Sequence, residues 1–322
     1  MTYTFSDRPG WDAMFRQGEL TLGLMYPLES YSGAVPRLDV AEQVEQSVLA
    51  DQRGFAALWA RDVPLLDLSF GDGGQLYDTW VWLTHIAAKT SRIALATGST
   101  VLPLRNPIDV AKAAASLDQL SGGRLVIGAA TGDRGVEFPA YGLNRDHSGQ
   151  LFRESVTTIR RLWGEDFPDV DSVYGTLRGT DLLPKPVGRR IPLLVTGNSR
   201  QDVEWIAEHG DGWLMYPRPI VQQRMITTAW QQATPEWKPF AQSLYIDLEE
   251  DANGVPKPIH LGFRSGWRAL VEHLGQLHDI GVNHVAINLK YGRRPAPEVL
   301  QEIAENVLPH FPTVFPETAK VH

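Results

Sequence analysis

One local unit recurs along this chain: an amphipathic helix, a turn of one to three residues, then a short apolar strand. Its copies are VEQSVLADQRGFAALWA, WLTHIAAKTSRIALAT, AAASLDQLSGGRLVIGAA, VEWIAEHGDGWLMY and LVEHLGQLHDIGVNHVAINL. In the helical halves apolar residues fall at i, i+3, i+4 spacing. Gly54, Gly122-Gly123, Gly210 and Gly281 stand where a left-handed helix stop is needed. The strand halves are almost unbroken in apolar residues, as parallel strands buried on both faces are. Further strands fit at Leu20–Met25 and Pro192–Val195, with a weaker one at Leu244–Leu248.

The strands then fall at about 20–25, 56–60, 92–97, 124–129, 192–196, 212–216, 244–248 and 284–289. Eight alternating units in 322 residues predict a closed (β/α)8 TIM barrel rather than a doubly wound sheet. No G-x-G-x-x-G follows a strand, which argues against a dinucleotide-binding sheet. One domain is expected across residues 1–322. Strands four and five are unusually far apart. The helix LFRESVTTIRRLWG and a Pro/Gly-rich run fill the gap, which predicts an insertion over about 148–190 with a small hairpin at Tyr174-Gly175. Long loops at the C-terminal face of a barrel serve as lids or contact surfaces.

The net charge of −8, with no Lys/Arg-rich run, argues against nucleic acid or an anionic membrane as the main partner. The absence of cysteine excludes disulfides, a cysteine nucleophile and thiolate metal sites, and suits a reducing, cytoplasmic setting. The N-terminus, MTYTFSDRPGWDAM, is too charged for a signal peptide. No apolar run approaches the roughly 20 residues needed to span a bilayer. The histidines form no H-x-H or H-E-x-x-H pattern, so no catalytic metal is expected. No G-x-S-x-G elbow supports a serine hydrolase. Most of the Trp and Tyr residues read as ordinary core, with Tyr26, Trp213 and Tyr216 as candidate ligand walls.

Active sites of such barrels lie past the C-terminal ends of the strands. Thr97-Gly98-Ser99-Thr100 follows strand three, and Ala130-Thr131-Gly132-Asp133 follows strand four. Strand five leads into Thr196-Gly197-Asn198-Ser199-Arg200-Gln201-Asp202. There Asn198 or Ser199 could cap a helix whose free N–H groups and dipole suit a phosphate, with Arg200 as an added donor. A plain capped helix explains the same residues. Gly262-Phe263-Arg264-Ser265-Gly266 is a rival phosphate turn. Arg61 and Asp62, after strand two, form the candidate catalytic pair: Arg61 to anchor an anion, Asp62 to orient Arg61. A solvated ion pair is the alternative, and Asp133-Arg134 is a second pair of that kind.

The stretch RIALATGSTVLPLRNPIDVAKAAASLDQLSGGRLVIGAATGDRGVEFPAYGL, from Arg92 to Leu143, resembles the luciferase-like, flavin-dependent monooxygenase family. T-G-S-T-V-L-P carries the likeness, together with L-D-Q-L-S-G-G-R before an apolar strand that ends in a small residue. The likeness extends from about Leu20 to Pro309. It implies a barrel, commonly a homodimer, that binds FMN received in reduced form from a separate flavin reductase. It implies O2 as co-substrate and a small organic substrate. It also implies a bulged or cis peptide at Gly98–Ser99 against the middle of the isoalloxazine ring, which bare Gly98 lets approach. The flavin phosphate would lie on the turn of Gly197, Asn198, Ser199, Arg200 and Gln201, with Thr131 and Gly132 beside the cofactor. Two departures stand out. Thr131 occupies a place where some relatives carry arginine, and Arg61-Asp62 stands where luciferases carry a histidine pair. Asp118 and Arg124 read as a structural clamp between helix and strand. A deazaflavin-dependent dehydrogenase on the same barrel, or a flavin-binding protein without catalysis, would share these features.

Overall fold

The computed structural model describes residue 5 and residues 8–315. The start of the N-terminal segment, read above as no signal peptide, lies largely outside the described residues. Eight strands alternate with helices: β1 (Thr21–Met25), β2 (Ala57–Ala60), β3 (Ala94–Val101), β4 (Leu125–Ala130), β5 (Leu193–Thr196), β6 (Gly212–Met215), β7 (Phe240–Leu248) and β8 (His284–Asn288). Each pairs in parallel with the next, and β8 closes on β1 through Thr21 and His284. The molecule is therefore a closed (β/α)8 TIM barrel, and all eight strands deliver their C-terminal ends to one mouth.

Two strands outrun the expectation. β7 starts at Phe240 because Gln242 and Ser243, which break its apolar pattern, are nonetheless buried. β3 continues through a register shift between Thr97 and Thr100 and pairs again at Thr100 with Ala129.

Side chains of two sizes fill the barrel. Ala57, Ala94, Ala96, Ala241 and Ala286 leave room for Trp59, while Met14 and Phe15 close the bottom behind the short helix Pro9–Met14. Branched residues on the opposite strand faces meet the outer helices in a larger cluster, as barrel strands buried on both sides require. Gly54 and Gly281 take the left-handed conformation expected of helix stops, with φ of 93° and 91°. Gly210 does not: its φ is −86°. It is needed for space instead, since a Cβ there would stand 2.8 Å from the Ile206 carbonyl oxygen.

Asp118 and Arg124 clamp separate partners. Asp118 takes Arg8 and the Val187 N–H (2.8 Å). Arg124 donates to the carbonyls of Ala87 (2.8 Å) and Ile93 (3.0 Å). Between β4 and β5, helix Ser148–Gly164 precedes an antiparallel hairpin of Val170–Ser172 with Gly175–Leu177. The rival phosphate turn is not a turn: Gly262–Ser265 is a strand alongside β7, and Arg264 Nε donates to Asp247 Oδ2 at 2.5 Å. Among the described residues no helix is long and apolar enough to cross a membrane, and no cluster of potential metal ligands occurs.

Candidate active site

The register shift in β3 builds the centre of the mouth. The Gly98–Ser99 peptide bond is cis. The Thr97 hydroxyl replaces the missing ladder bonds: it donates to the Gly128 carbonyl at 2.8 Å and accepts from the Gly128 N–H at 3.1 Å. Ser99 Oγ bonds Thr196 Oγ1 at the end of β5. Below the bulge lies Trp59, and a Cβ on Gly98 would stand 3.2 Å from its Cε3.

A cavity of about 210 Å³ opens over this bulge. Of the residues singled out from sequence, Arg61, Asp62, Gly98, Ser99, Thr131, Gly132, Gly197 and Ser199 line it. A smaller space of about 50 Å³ shares Arg61, Gly98, Thr196 and Tyr216 and reaches Tyr245 on β7. Asn198, Arg200 and Gln201 do not line either space. Asn198 and Arg200 are exposed, and Gln201 is buried, donating to the Gly149 carbonyl at 3.0 Å.

The turn after β5 differs from a capped helix start. Gly197, Ser199 and Arg200 all have positive φ (56°, 44° and 57°). Ser199 Oγ donates to the Thr196 carbonyl at 2.8 Å, and the Gln201 N–H closes on the Asn198 carbonyl at 2.8 Å. The helix begins only at Val203, and Asp202 caps it, accepting from the Trp205 N–H at 2.8 Å. Asn198 and Ser199 are therefore not caps. Of the three proposed walls, Tyr216 lines the cavity. Trp213 is buried and holds the turn from below by donating to the Gly197 carbonyl at 2.7 Å. Tyr26 is buried against Trp82 and bonded to Ser47.

Arg61 and Asp62 share the mouth but not each other. Successive residues past a strand point in different directions. Asp62 accepts from both Nε (2.7 Å) and Nη2 of Arg105, and from the Val101 N–H at 3.1 Å. It thereby pins the strand end just beyond the bulge. Arg61 Nη1 donates to Asp72 Oδ2 at 2.8 Å. Asp72 also accepts from Tyr31 Oη (2.5 Å) and the Gly74 N–H (3.0 Å), and Lys290 Nζ stands 3.4 Å away. Burial alone would raise its carboxyl, but the Arg61 guanidinium outweighs that and holds it well below the usual carboxylate range. Asp133 and Arg134 are likewise not paired: Arg134 donates to the Asp72 carbonyl at 2.6 Å and lies over the Phe70 ring.

Three groups at this site carried no chemical pattern of their own: Asp72, Glu137 and Tyr245. Only Asp72 had a signal, the run Gly71-Asp72-Gly73-Gly74, whose glycines mark a tight turn beyond a barrel strand. Glu137 is 2% exposed, lines the cavity and has no partner for Oε1. Burial pushes its carboxyl up to about 7, against Arg134 and with Asp62 and Asp133 adding to the rise.

The model of the luciferase-like monooxygenase family matches residues 21–236. An uncharacterized protein of Mycobacterium tuberculosis is 34% identical over 144 residues, 44% of this chain and 51% of that one. The F420-dependent glucose-6-phosphate dehydrogenase of Kineococcus radiotolerans is 28% identical over 193 residues, 57% and 55% of the two chains. The oxygenase component of the flavin-dependent trigonelline monooxygenase of Acinetobacter baylyi is 27% identical over 172 residues, 52% and 46%. The chain thus spans about half the length of the curated relatives it matches. A monooxygenase structure from Streptomyces bottropensis superposes with a TM-score of 0.71 at 20% identity, covering 91% of this chain and 100% of that one. An F420-dependent secondary alcohol dehydrogenase superposes with a TM-score of 0.75 at 19% identity, covering 91% and 99%. These likenesses show the shared fold.

Proposed function

Because the chain belongs to the luciferase-like monooxygenase family, we propose that it is a monooxygenase using reduced FMN and O2 on a small organic substrate. A separate flavin reductase supplies the reduced FMN. The observation that carries this reading is the convergence of Gly98, Ser99, Thr131, Gly132, Gly197 and Ser199 on one cavity. Gly98 offers bare backbone to a flat ring, and Trp59 beneath it fixes the floor. Thr131 and the backbone at Gly132 offer small polar groups to the ribityl and phosphate end, where Gly197 and Ser199 also line the wall. Helix Ser148–Gly164 brings its N-terminus to the same turn: a Cβ on Gly149 would stand 3.1 Å from Arg200 Cβ. The positive end of a helix favours an anion there. Reduced FMN supplies the electrons for oxygen activation; the protein's residues position it and exclude water. The reading includes a single domain with its insertion at about 148–190, a homodimer, and a cytoplasmic location.

A second reading is a deazaflavin-dependent dehydrogenase, favoured by the F420-dependent relative at 28% identity. A flavin-binding protein without catalysis is the third. Equilibrium titration with FMN, reduced FMN and the deazaflavin coenzyme, read by fluorescence, separates them. Tight binding of reduced FMN, with O2 uptake on addition of substrate, supports the monooxygenase. Selective binding of the deazaflavin with no O2 uptake supports the dehydrogenase. Ser199→Asp sets a negative charge at the proposed phosphate end and is expected to weaken FMN binding by roughly 5- to 150-fold, about 1–3 kcal/mol. Unchanged affinity in that variant would remove Ser199 from the site.

A further inference from the structure

We propose that the cavity takes a substrate bearing a planar carboxylate, which Arg61 grips through Nε and Nη2 once the Gly73–Gly74 turn has moved off that edge. The inference rests on the cavity being an active site, as proposed above, and adds the chemical class of its substrate.

Arg61 lines both spaces at the mouth. Only its Nη1 has an acceptor, Asp72. Nε and Nη2 are buried and have no partner. These two nitrogens share one edge of the guanidinium, and their N–H bonds point the same way. That edge is the fork that matches the two oxygens of a carboxylate. Buried donors are nearly always matched, so two unmatched donors on one edge require an explanation. An acceptor that arrives with the ligand supplies one.

The charge around Arg61 agrees. Asp72 is shared between Arg61 and Lys290, whose Nζ stands 3.4 Å from Oδ1 and is 3% exposed as a side chain. Two buried cations share one carboxylate, which leaves the trio with a surplus positive charge. The Asp72 carboxylate is fully used: Tyr31, Arg61, the Gly74 N–H and, at 3.4 Å, Tyr245 Oη all donate to it. It has no capacity left for the second edge of Arg61.

Gly74 lies against that edge. A Cβ on it would stand 3.0 Å from both Nε and Nη2, so a side chain there would crowd the fork. The turn runs Gly71-Asp72-Gly73-Gly74, with φ of 76° at Gly71 and 60° at Gly74. It is tied across to the Ala34 carbonyl by the Gly73 N–H at 2.6 Å. Moving Gly73 and Gly74 breaks that bond and the Gly74 N–H bond to Asp72, while Lys290 and Arg134 still hold the carbonyls of Gly71 (2.8 Å) and Asp72 (2.6 Å). Phe70, at its start, and Tyr216 opposite give the cavity aromatic walls for the body of such a ligand.

Benzoate and its neutral counterpart benzamide are the probes. Isothermal titration of the full chain, without flavin and with FMN, is expected to show benzoate binding and no benzamide binding. Arg61→Met should weaken benzoate at least about tenfold. Arg61→Lys should weaken it nearly as much, because an ammonium keeps the charge but not the fork. FMN affinity should fall by a smaller factor than benzoate affinity in both variants. Benzoate should also speed hydrogen exchange at the Gly73 amide as the turn leaves Ala34. Circular dichroism checks that each variant folds, and Arg61→Lys serves if Arg61→Met does not. The inference is overturned if benzoate does not bind the wild type, if benzamide binds equally, or if Arg61→Lys binds benzoate like the wild type. A loss of FMN affinity in both variants, with benzoate unaffected, overturns it in favour of the flavin as the anion held. Failure of FMN to bind the wild type sinks the proposed function instead, and the flavin-free benzoate titration still decides the role of Arg61.

Discussion

Trp59 Nε1 donates a hydrogen bond of 3.0 Å to His284 Nε2 across the inside of the barrel. An indole N–H can only donate, so Nε2 accepts and the neutral imidazole carries its proton on Nδ1. Nδ1 then donates to Thr21 Oγ1 at 2.8 Å, and Thr21 Oγ1 donates to the Met14 carbonyl at 2.7 Å. This chain joins the plug at the barrel bottom to the indole that floors Gly98. Every member has its partner, as a buried polar network must.

That arrangement has a pH dependence. Burial pushes His284 down to about 3, from an ordinary value of 6.5. As pH falls below 6.5, the unfolded chain takes up a proton that the folded one refuses. The stability from His284 is therefore complete above the unfolded value and is lost as pH falls toward the folded one. His284→Phe should flatten the fall in unfolding free energy over that window. At neutral pH it should cost about 1–3 kcal/mol, because Trp59 and Thr21 lose their partner. Urea unfolding of both proteins across the window checks it; parallel curves would refute it.

Gly128 faces the β3 bulge so closely that a Cβ would meet the Thr97 carbonyl oxygen at 2.3 Å and Ser99 Oγ at 3.2 Å. The nearer atom is backbone, so it cannot rotate away. Gly128→Ala should cost about 1–3 kcal/mol through forced backbone shifts. It should also weaken FMN binding, since the displaced segment is the one proposed to hold the ring. A variant with wild-type stability and FMN affinity would show that the bulge is not held by this contact.

Asp62 is expected to behave as a structural residue and Arg61 as a ligand residue, although they are neighbours. Asp62→Ala strands the Arg105 guanidinium and the Val101 N–H, and Asp62 is buried. It should lower stability by about 1–3 kcal/mol, the cost of an unpaired buried donor. Arg105→Ala should reproduce most of that loss, and the double variant should cost less than the sum of the two. Additive losses in the thermal melts would mean that the pair is not coupled.

The barrel was legible because its evidence is periodic. Helix faces, Gly54 and Gly281 stops and unbroken apolar strands repeat often enough to outweigh local errors such as Gly210. The cavity floor was legible at Gly98 and Ser99 through the T-G-S-T-V-L-P likeness, while the register shift that carries them lies inside β3, beyond the expected strand end. Side-chain pairing was not. Adjacent opposite charges at 61–62 and 133–134 suggested pairs, yet each arginine and aspartate past a strand faces a different neighbour. The partners came from loops whose course no periodicity fixes: Asp72 from a glycine turn, and Arg105 from the chain after the bulge. Glu137 could not have been found at all, because its character comes from burial and not from its sequence context.

The usual value of the Glu137 carboxyl is 4.5, and burial raises it to about 7 in the folded protein. Between those values the unfolded chain has lost the proton while the folded one keeps it, so stability declines as pH rises. The contribution is fully present below 4.5 and gone once pH passes about 7. The sign is opposite to that of His284, so the two variants should bend the stability profile in opposite directions. Glu137→Gln keeps the shape and a hydrogen-bonding group but removes the charge. It should erase the decline and exceed the wild type in stability above pH 7. The same ionisation adds a negative charge to the cavity wall. Binding of benzoate or FMN to the wild type should therefore weaken as pH rises through about 7, and Glu137→Gln should hold its affinity. Titrations on either side of that value decide the matter: an identical pH trend in both proteins would assign it to some other group.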